Sequence, residues 1–176
     1  MPKASSTPFG AAVFTDPDDC TNPVAGYQVA YPDEWYSNAA VPNPLGPADG
    51  IPACIAFAPT DFPVLYGTEP SPAIAIMIAV FELPEGVSEY NYGPFEGYAV
   101  LSDSAVTVGG YPARVLEFEV TQPSVGFTQV GDRYTEYVVE LSGRRFLAAR
   151  TQSQDDYATS RQVLSEMMQT LEVLSP

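Results

Sequence analysis

Apolar and polar residues alternate through residues 105–151, the stretch around which the rest of the chain is organised. Alternation with a period of two is typical of half-buried strands. Ser142-Gly143 divides this stretch, and a two-residue loop containing glycine suits a tight hairpin turn. The turn predicts an antiparallel register with Glu140 opposite Arg145, a pair of opposite charges. One apolar face would then carry Tyr137, Val139, Leu141, Phe146 and Ala148.

Further strand signals precede this hairpin. Residues 73–81 form the longest uncharged apolar run, bounded by Pro72 and Pro84, and predict a central strand buried on both faces. Gly109-Gly110 indicates another turn. Shorter strands are predicted at 11–14, 26–32, 51–58, 97–101 and 104–108.

One convincing helix is predicted, at residues 155–171, beginning at Asp155 or Asp156. Its apolar stripe consists of Tyr157, Leu164, Met167, Met168 and Leu171. Because the apolar face of an antiparallel sheet needs a cover, we expect an α+β fold in which this helix packs on one face of a twisted antiparallel sheet. Loops or a short helix would cover the other face, completing an α/β/α sandwich. The length fits a single domain at 10–176 after a flexible, polar segment at 1–9.

The charge balance is strongly acidic, with 22 acidic against 7 basic residues and a net charge of −15. Such a field repels phosphate backbones and anionic membranes, so we expect neither nucleic acid nor lipid surfaces as partners. The acidity indicates either solubility in a saline habitat or a cation or basic partner. No apolar run approaches the length of a membrane span.

The chain contains two cysteines, Cys20 and Cys54, and no histidine. Two cysteines without histidine cannot form a four-ligand zinc site. In an exported protein we interpret them as one disulfide; the alternative is two buried thiols in a cytosolic protein. The N-terminal segment has no apolar signal core, and we interpret it as an initiator Met on a mature domain whose export signal was removed. We therefore expect an extracellular or cell-envelope location.

Three kinds of residue are candidates for a binding site. The acidic turn at 16–19 could hold calcium, although it lacks the spacing of an EF-hand and also fits a solvated turn. Trp35 follows a strand, where tryptophan either plugs the core or walls a small-ligand pocket. Loops 59–72 and 84–95 carry aromatic residues that suit a recognition surface or fold back over the sheet. The metal candidates are Asp16, Asp18 and Asp19, and the aromatic candidates are Trp35, Phe62, Tyr66, Tyr90 and Tyr92.

Most catalytic machinery is missing from the sequence. The absence of histidine removes the commonest general base, and the one lysine, Lys3, lies in the N-terminal segment. No glycine-rich phosphate loop precedes a helix. Carboxylates on neighbouring strands could still form the pair of a hydrolase, although their alternation with apolar residues also fits the wetter side of a sheet. These carboxylates are Glu117, Glu119, Glu136 and Glu140. We expect no enzymatic activity and no cofactor.

The order of elements resembles the PsbP-like fold. The resemblance rests on the strand, proline and tryptophan of residues 27–35, the buried strand at 73–82, residues 106–113, the hairpin at 134–150 and the helix at 157–171. Members include extrinsic photosystem II proteins, a Ran-binding nuclear-transport protein and bacterial exported lipoproteins. The resemblance implies an antiparallel sheet sandwiched by helices, without a catalytic site. The photosystem proteins use many lysines for docking, so this lysine-poor chain is most similar to the exported and lipoprotein members.

These observations predict a non-catalytic, exported accessory module of the cell envelope that is monomeric and recognises a protein partner through loops 59–72 and 84–95. The first alternative is a carrier that holds a cation at residues 16–19 or a small ligand beside Trp35. The second alternative is a carboxylate-based hydrolase.

Overall fold

The computed structural model describes residues 17–44, 50–64, 70–87, 89–93, 95–122, 129–142, 144–152 and 154–174. The predicted segment 1–9, the predicted strand 11–14 and Gly143 lie outside the described residues. The elements are β1 (Pro17–Asn22), β2 (Tyr27–Pro32), β3 (Tyr36–Ser37), β4 (Ala56–Ala58), β5 (Ile76–Glu82), β6 (Tyr98–Val108), β7 (Tyr111–Val120), β8 (Arg133–Ser142), β9 (Arg145–Thr151), α1 (Tyr157–Thr170) and β10 (Glu172–Val173).

The strands form two antiparallel sheets. The larger has seven strands in the order β3-β4-β5-β9-β8-β7-β6, and the smaller has three in the order β1-β2-β10. Helix α1 packs on β8 and β9 of the larger sheet and on β2 of the smaller one. The α+β fold and the C-terminal helix on one sheet face are therefore confirmed. The described residues contain this one helix, and the opposite face of the larger sheet is covered by a loop.

The hairpin between β6 and β7 turns at Gly109-Gly110, as predicted. Both glycines have positive φ, at 57° and 85°, which is the requirement of a type I′ turn. A Cβ on Gly109 would lie 2.6 Å from the carbonyl oxygen of Leu171, so this position also needs glycine for space. The prediction of two short strands before the turn was wrong, because β6 is one strand with a bulge between Val100 and Ser102.

The predicted register of the β8–β9 hairpin was wrong by one residue. Glu140 lies opposite Phe146, and Arg145 lies opposite Ser142. A bulge between Glu140 and Ser142 inserts an extra residue on β8. Because side chains alternate with a period of two, this insertion moves every β9 side chain to the other face from the one predicted.

The consequence is a different division of β9 between the two faces. Leu147 and Ala149 join the core under α1, together with Tyr137 and Val139 of β8. Phe146 instead packs on the opposite face. That face is therefore more aromatic than the sequence pattern predicts.

Two other strand predictions need correction. The apolar run at 73–81 forms β5 only from Ile76, and Ala79 within it is exposed, so the strand is not buried on both faces. The predicted strand at 51–58 is reduced to β4. Cys54, just before β4, has a positive φ of 64°, which an extended strand excludes.

The disulfide between Cys20 and Cys54 is confirmed, with the two Cα atoms 5.7 Å apart. It ties β1 of the smaller sheet to the segment that leads into β4 of the larger one. Residues 17–19 belong to β1 and are not the predicted turn: Asp18 and Asp19 pair with β2, and both are exposed.

The helix α1 begins after Asp156, whose side chain accepts a hydrogen bond from the backbone N–H of Thr159 at 3.4 Å. Such a cap satisfies one of the free N–H groups of the first turn. The core under the helix contains Val163, Leu164, Met167, Met168 and Leu171, all essentially without solvent contact. Four of the five predicted stripe residues thus act as core, and Tyr157 lies at its half-buried edge.

Candidate functional site

The face of the larger sheet opposite α1 carries an aromatic cluster. Alternation along β7, β8 and β9 places Leu116, Phe118, Val138 and Phe146 on this face. Around them pack Phe81, Tyr90, Tyr92 and Tyr98, which are only partly buried. A sheet face with half-exposed aromatic rings differs from a sealed core, because part of its apolar surface is available to a ligand.

The loop before β6 supplies the two tyrosines of this cluster. The Tyr90 ring lies 5.7 Å from Phe81, 5.5 Å from Phe146 and 4.9 Å from Tyr92, measured between centroids. The edge-on arrangement with Tyr92 is one that aromatic pairs prefer. Next to it, the Asn91 side chain accepts a hydrogen bond from the backbone N–H of Gly93 at 3.0 Å. The tyrosines are therefore held by ring packing and by a local side-chain turn.

Arg114 of β7 packs against the ring of Tyr92. Its guanidinium carbon lies 4.2 Å from the centre of the Tyr92 ring, a cation–π contact. The same guanidinium forms a two-point ion pair with Asp103 of β6, including an Nε–Oδ1 hydrogen bond of 2.8 Å. The planar guanidinium can stack and bind a carboxylate at the same time. Tyr92, Arg114 and Asp103 therefore form one connected unit.

This unit forms one wall of an open cleft of about 780 Å³. The cleft is lined by Glu89, Tyr90, Asn91, Tyr92, Gly93, Val100, Asp103 and Arg114. Its lining combines two tyrosine rings with amide, carboxylate and guanidinium groups. Tyrosine and arginine are enriched at protein interfaces, because each offers a broad surface together with hydrogen-bonding groups.

A second stacked arginine lies deeper in the same face. The guanidinium carbon of Arg150 is 4.2 Å from the centre of the Tyr134 ring, and Arg150 lies opposite Glu136 in the strand register. Burial raises the pKa of Glu136, and the nearby Arg150 counteracts part of this rise. Burial, followed by the charge of Glu136, raises the pKa of Tyr90 to about 12. Tyr90 is therefore a neutral hydrogen-bonding group at physiological pH.

The other predicted aromatic residues lie elsewhere. Trp35 is 8% exposed and belongs to the main core, where it plugs the sheet end as one prediction had it. It is not among the residues that line the cleft of Tyr90 and Tyr92 or the cleft beside Asp19. Phe62 is buried in a small cluster with Ala58 and Ile74. Tyr66 lies outside the described residues. Of the predicted recognition residues, the structure thus brings Tyr90 and Tyr92 together.

The acidic candidates are dispersed in the described residues. Asp16 lies outside them, and Asp18 and Asp19 are neighbours on β1, so their side chains point to opposite faces. Among the described residues, no three His, Cys, Asp or Glu side chains are close enough to hold a metal ion. Asp19 instead borders a second open cleft, of about 730 Å³, with Tyr111 and Glu172.

The carboxylates of the hydrolase alternative lie on two faces of the sheet. Glu117 pairs with Arg161 of α1, and Glu119 pairs with Arg133 at 3.0 Å, both on the helix side of the sheet. Glu136 lies on the opposite side, opposite Leu116 of β7. The sheet therefore separates the carboxylates into two groups.

Sequence reasoning missed Arg114 and Asp103, although a signal for them exists. The turn at Gly109-Gly110 fixes the β6–β7 register, with Asp103 opposite Leu116 and Ala105 opposite Arg114. Asp103 and Arg114 are then diagonal neighbours on one face, within reach of long side chains. The Asp103–Arg114 pair can therefore be predicted from the sequence once the turn of the hairpin is assigned.

Comparison with known proteins gives a likeness in fold. No protein-family model matches the sequence, and no curated protein matches it. Among solved structures, the chain is similar to the solution structure of cyanobacterial PsbP from Synechocystis sp. PCC 6803. The two share 12% sequence identity, with a TM-score of 0.48 over 98% of this chain and 99% of that one.

A protein from Bacteroides thetaiotaomicron VPI-5482 is also similar, with 14% identity and a TM-score of 0.39. The match covers 85% of this chain and 46% of that one. At such identities and TM-scores neither likeness carries a function over to this chain, so function is argued from the residues of this chain. The disulfide fits an extracellular or periplasmic protein. Within the described residues, no helix is both long and apolar enough to cross a membrane.

Proposed function

We propose that this chain is a non-catalytic, exported accessory module that recognises a protein partner through the cleft of Tyr90, Tyr92 and Arg114. One observation carries the proposal: Arg114 is fixed between the Tyr92 ring and Asp103 in an open, half-aromatic cleft. Groups held rigidly in the free protein lose little conformational freedom on binding.

The surroundings of the cleft support a protein partner. Exposed apolar side chains lie beside it, with Val100 37% and Leu101 45% exposed on β6 and Phe95 37% exposed at the end of the loop. Exposed apolar residues that adjoin a polar, aromatic cleft are typical of an interaction surface. The proposal uses the loop at 84–95 and leaves out loop 59–72, because Phe62 is buried.

An oxidising environment is part of the proposal. The disulfide joins the two sheets, and such bonds persist in secreted and periplasmic proteins. A partner in the same compartment is therefore the one to search for.

Photo-crosslinking tests this function. A photoreactive phenylalanine analogue at position 92 should give one defined adduct in a cell-envelope extract, whereas the analogue at Val24, which is 79% exposed in another part of the surface, should not. Arg114→Ala should reduce the adduct by about tenfold or more, because arginine is enriched among interface hot spots, whose truncation costs about 2 kcal/mol or more, and about 1.4 kcal/mol already corresponds to tenfold. The matched control is Arg133→Ala, which removes an ion pair on the helix side. Equal labelling from positions 92 and 24 would reject the proposal.

A further inference from the structure

The outer strand of the larger sheet offers a second element of recognition. Strand β6 is last in the strand order, and within the described residues no strand pairs with its outer side. Residues 100–105 are all exposed. Building on the proposed function, we infer that β6 binds an extended, positively charged segment of the partner, which adds to the sheet as an eighth strand beside the cleft.

The hairpin geometry shows which backbone groups of β6 are available. In a two-residue hairpin the residues that flank the turn, here Val108 and Tyr111, form a hydrogen-bonded pair. Hydrogen-bonded and non-hydrogen-bonded pairs alternate along an antiparallel ladder. Asp103, Ala105 and Thr107 belong to the non-hydrogen-bonded pairs, so their N–H and C=O groups point away from β7. Pro112, which has no N–H, lies opposite Thr107, where its nitrogen also points away from β6.

The same segment has little of the protection that edge strands usually carry. Between residues 102 and 108 there is no lysine and no proline, and the one charged side chain, Asp103, is engaged by Arg114. The bulge between Val100 and Ser102 interrupts only the beginning of the strand. A regular edge of seven residues therefore remains for pairing.

Charge decides which strand fits this edge. The six arginines are all used within the chain. Three form ion pairs with carboxylates, two donate to backbone carbonyl groups and one stacks on Tyr134; in chain order they are Arg114, Arg133, Arg144, Arg145, Arg150 and Arg161. The acidic groups outnumber these cations, so the chain as a whole carries a net charge of −15. A basic segment complements this field, whereas a second copy of the chain would bring the same negative charge to the edge.

An added strand would also reach the cleft. Side chains of adjacent strands that lie directly opposite each other share a face of the sheet. Alternate side chains of the added segment would therefore stand beside Asp103 and Ala105, on the face that carries Tyr92 and Glu89. The backbone would supply affinity and the cleft would select side chains, as in other cases of strand addition.

The test uses a pool of capped ten-residue peptides in which Lys or Arg alternates with Val, Thr or Tyr. A matched pool carries Glu in place of Lys and Arg, and the tightest binder is also made with N-methyl groups on alternate residues. Backbone amide exchange of the whole protein is followed by nuclear magnetic resonance. We expect exchange at Asp103, Ala105 and Thr107 to slow by about tenfold or more, and exchange at Ser104 and Val106, already bonded to β7, to change little.

Three further results are expected from the same peptides. The acidic pool should bind at least about tenfold more weakly. N-methylation of the alternate residues whose N–H groups face β6 should abolish binding, because it removes the backbone donors of the added strand. Ala105→Pro should weaken binding by about tenfold or more, since it removes an outward N–H and no bond to β7. The N-methyl peptide keeps the test decisive should this variant fail to fold.

Two outcomes overturn the inference. Shifts of the Tyr92 ring without protection of the outward amides would show an occupied cleft and no added strand, which rejects strand addition and leaves the proposed function intact. No binding from the basic pool at millimolar concentration, or dimerisation that protects the same amides without peptide, would also reject it. Crosslinking from position 92 decides the proposed function independently.

Discussion

The disulfide allows the sharpest prediction about stability. Cys20 and Cys54 are separated by 34 residues, and both are buried where the smaller sheet meets the core. Reduction frees a closed loop of this size in the unfolded chain. On the chain-entropy account, the added freedom lowers the free energy of unfolding by about 4 kcal/mol. For a chain of 176 residues this corresponds to a fall in Tm of roughly 8–16 °C.

The backbone at Cys54 adds a second effect that can be separated from the first. In the described part of the chain, Cys54 is the one non-glycine residue with a positive φ. A side chain in this region costs roughly 1–2 kcal/mol, a cost that glycine avoids. Cys20→Ala/Cys54→Gly should therefore be more stable than Cys20→Ala/Cys54→Ala by about 1 kcal/mol, although both lack the crosslink.

Urea unfolding measures both effects. The oxidised and reduced wild-type protein give the contribution of the crosslink, and the two double variants give the backbone strain. Circular dichroism and tryptophan fluorescence follow the same transition, since Trp35 lies in the core. Coincident midpoints for the oxidised and reduced protein would refute the crosslink argument, and a glycine variant no more stable than the alanine variant would refute the strain argument.

Three further predictions concern buried polar groups. The side chain of Asn38 makes four hydrogen bonds: it donates to the carbonyl groups of residues 39 and 52 and accepts from the N–H groups of residues 55 and 56. Asn38→Ala should lower the free energy of unfolding in urea by about 3 kcal/mol or more, because buried backbone groups lose their hydrogen-bond partners. Asn91→Ala in the exposed loop should lower it by less than about 1 kcal/mol, and equal losses for the two variants would contradict the prediction. Tyr27→Phe, which removes a buried 2.7 Å hydrogen bond to the carbonyl of residue 54, should cost about 1–3 kcal/mol, and a variant of unchanged midpoint would count against it. Burial raises the pKa of Glu136 above its ordinary 4.5, so the folded protein keeps this proton to higher pH than the unfolded chain. The stability that Glu136 contributes is therefore complete below about pH 4.5 and is lost as pH rises through the folded pKa. Glu136→Gln should flatten this fall in a pH series of unfolding experiments, and an unchanged pH dependence would refute the argument.

Local rules in the sequence were enough for much of the fold. Alternation identified the strands, the stripe from Leu164 to Leu171 identified the helix, and two cysteines in an acidic, histidine-free chain indicated the disulfide. Each of these signals depends on residues near one another in the chain or on composition. None requires knowledge of how the strands are aligned.

Bulges are the reason that the sequence did not predict the faces of the sheet. A bulge is one extra, unpaired residue in a strand, and its position depends on the surrounding packing. The residues around Ser142 carry no pattern that distinguishes a bulged strand from a regular one. The extra residue on β8 shifts the register of β9, and because the sequence did not indicate it, Phe146 was predicted on the helix side. The aromatic character of the opposite face, and with it the cleft, depends on that shift.

The candidate site was predictable in part. Tyr90 and Tyr92 were identified because a long loop that carries Tyr, Asn and Gly suits a recognition surface. Trp35 and Phe62 have the same composition signal and are buried. Tertiary packing separates the exposed tyrosines from the buried aromatic residues. The strand beneath Tyr92 supplies Arg114, whereas Trp35 is enclosed in the core.

The arginines explain how a strongly acidic chain can keep the proposed recognition surface ordered. Acidic groups in excess repel one another, and this repulsion loosens exposed loops unless cations fix them. Arg114 fixes the cleft by bridging Asp103 and Tyr92, and Arg150 stacks on Tyr134 deeper in the same face. Because Arg114 is paired with Asp103, its charge does not repel an incoming basic segment as a free charge would. The same arrangement therefore orders the aromatic rings and leaves the negative field available to a partner.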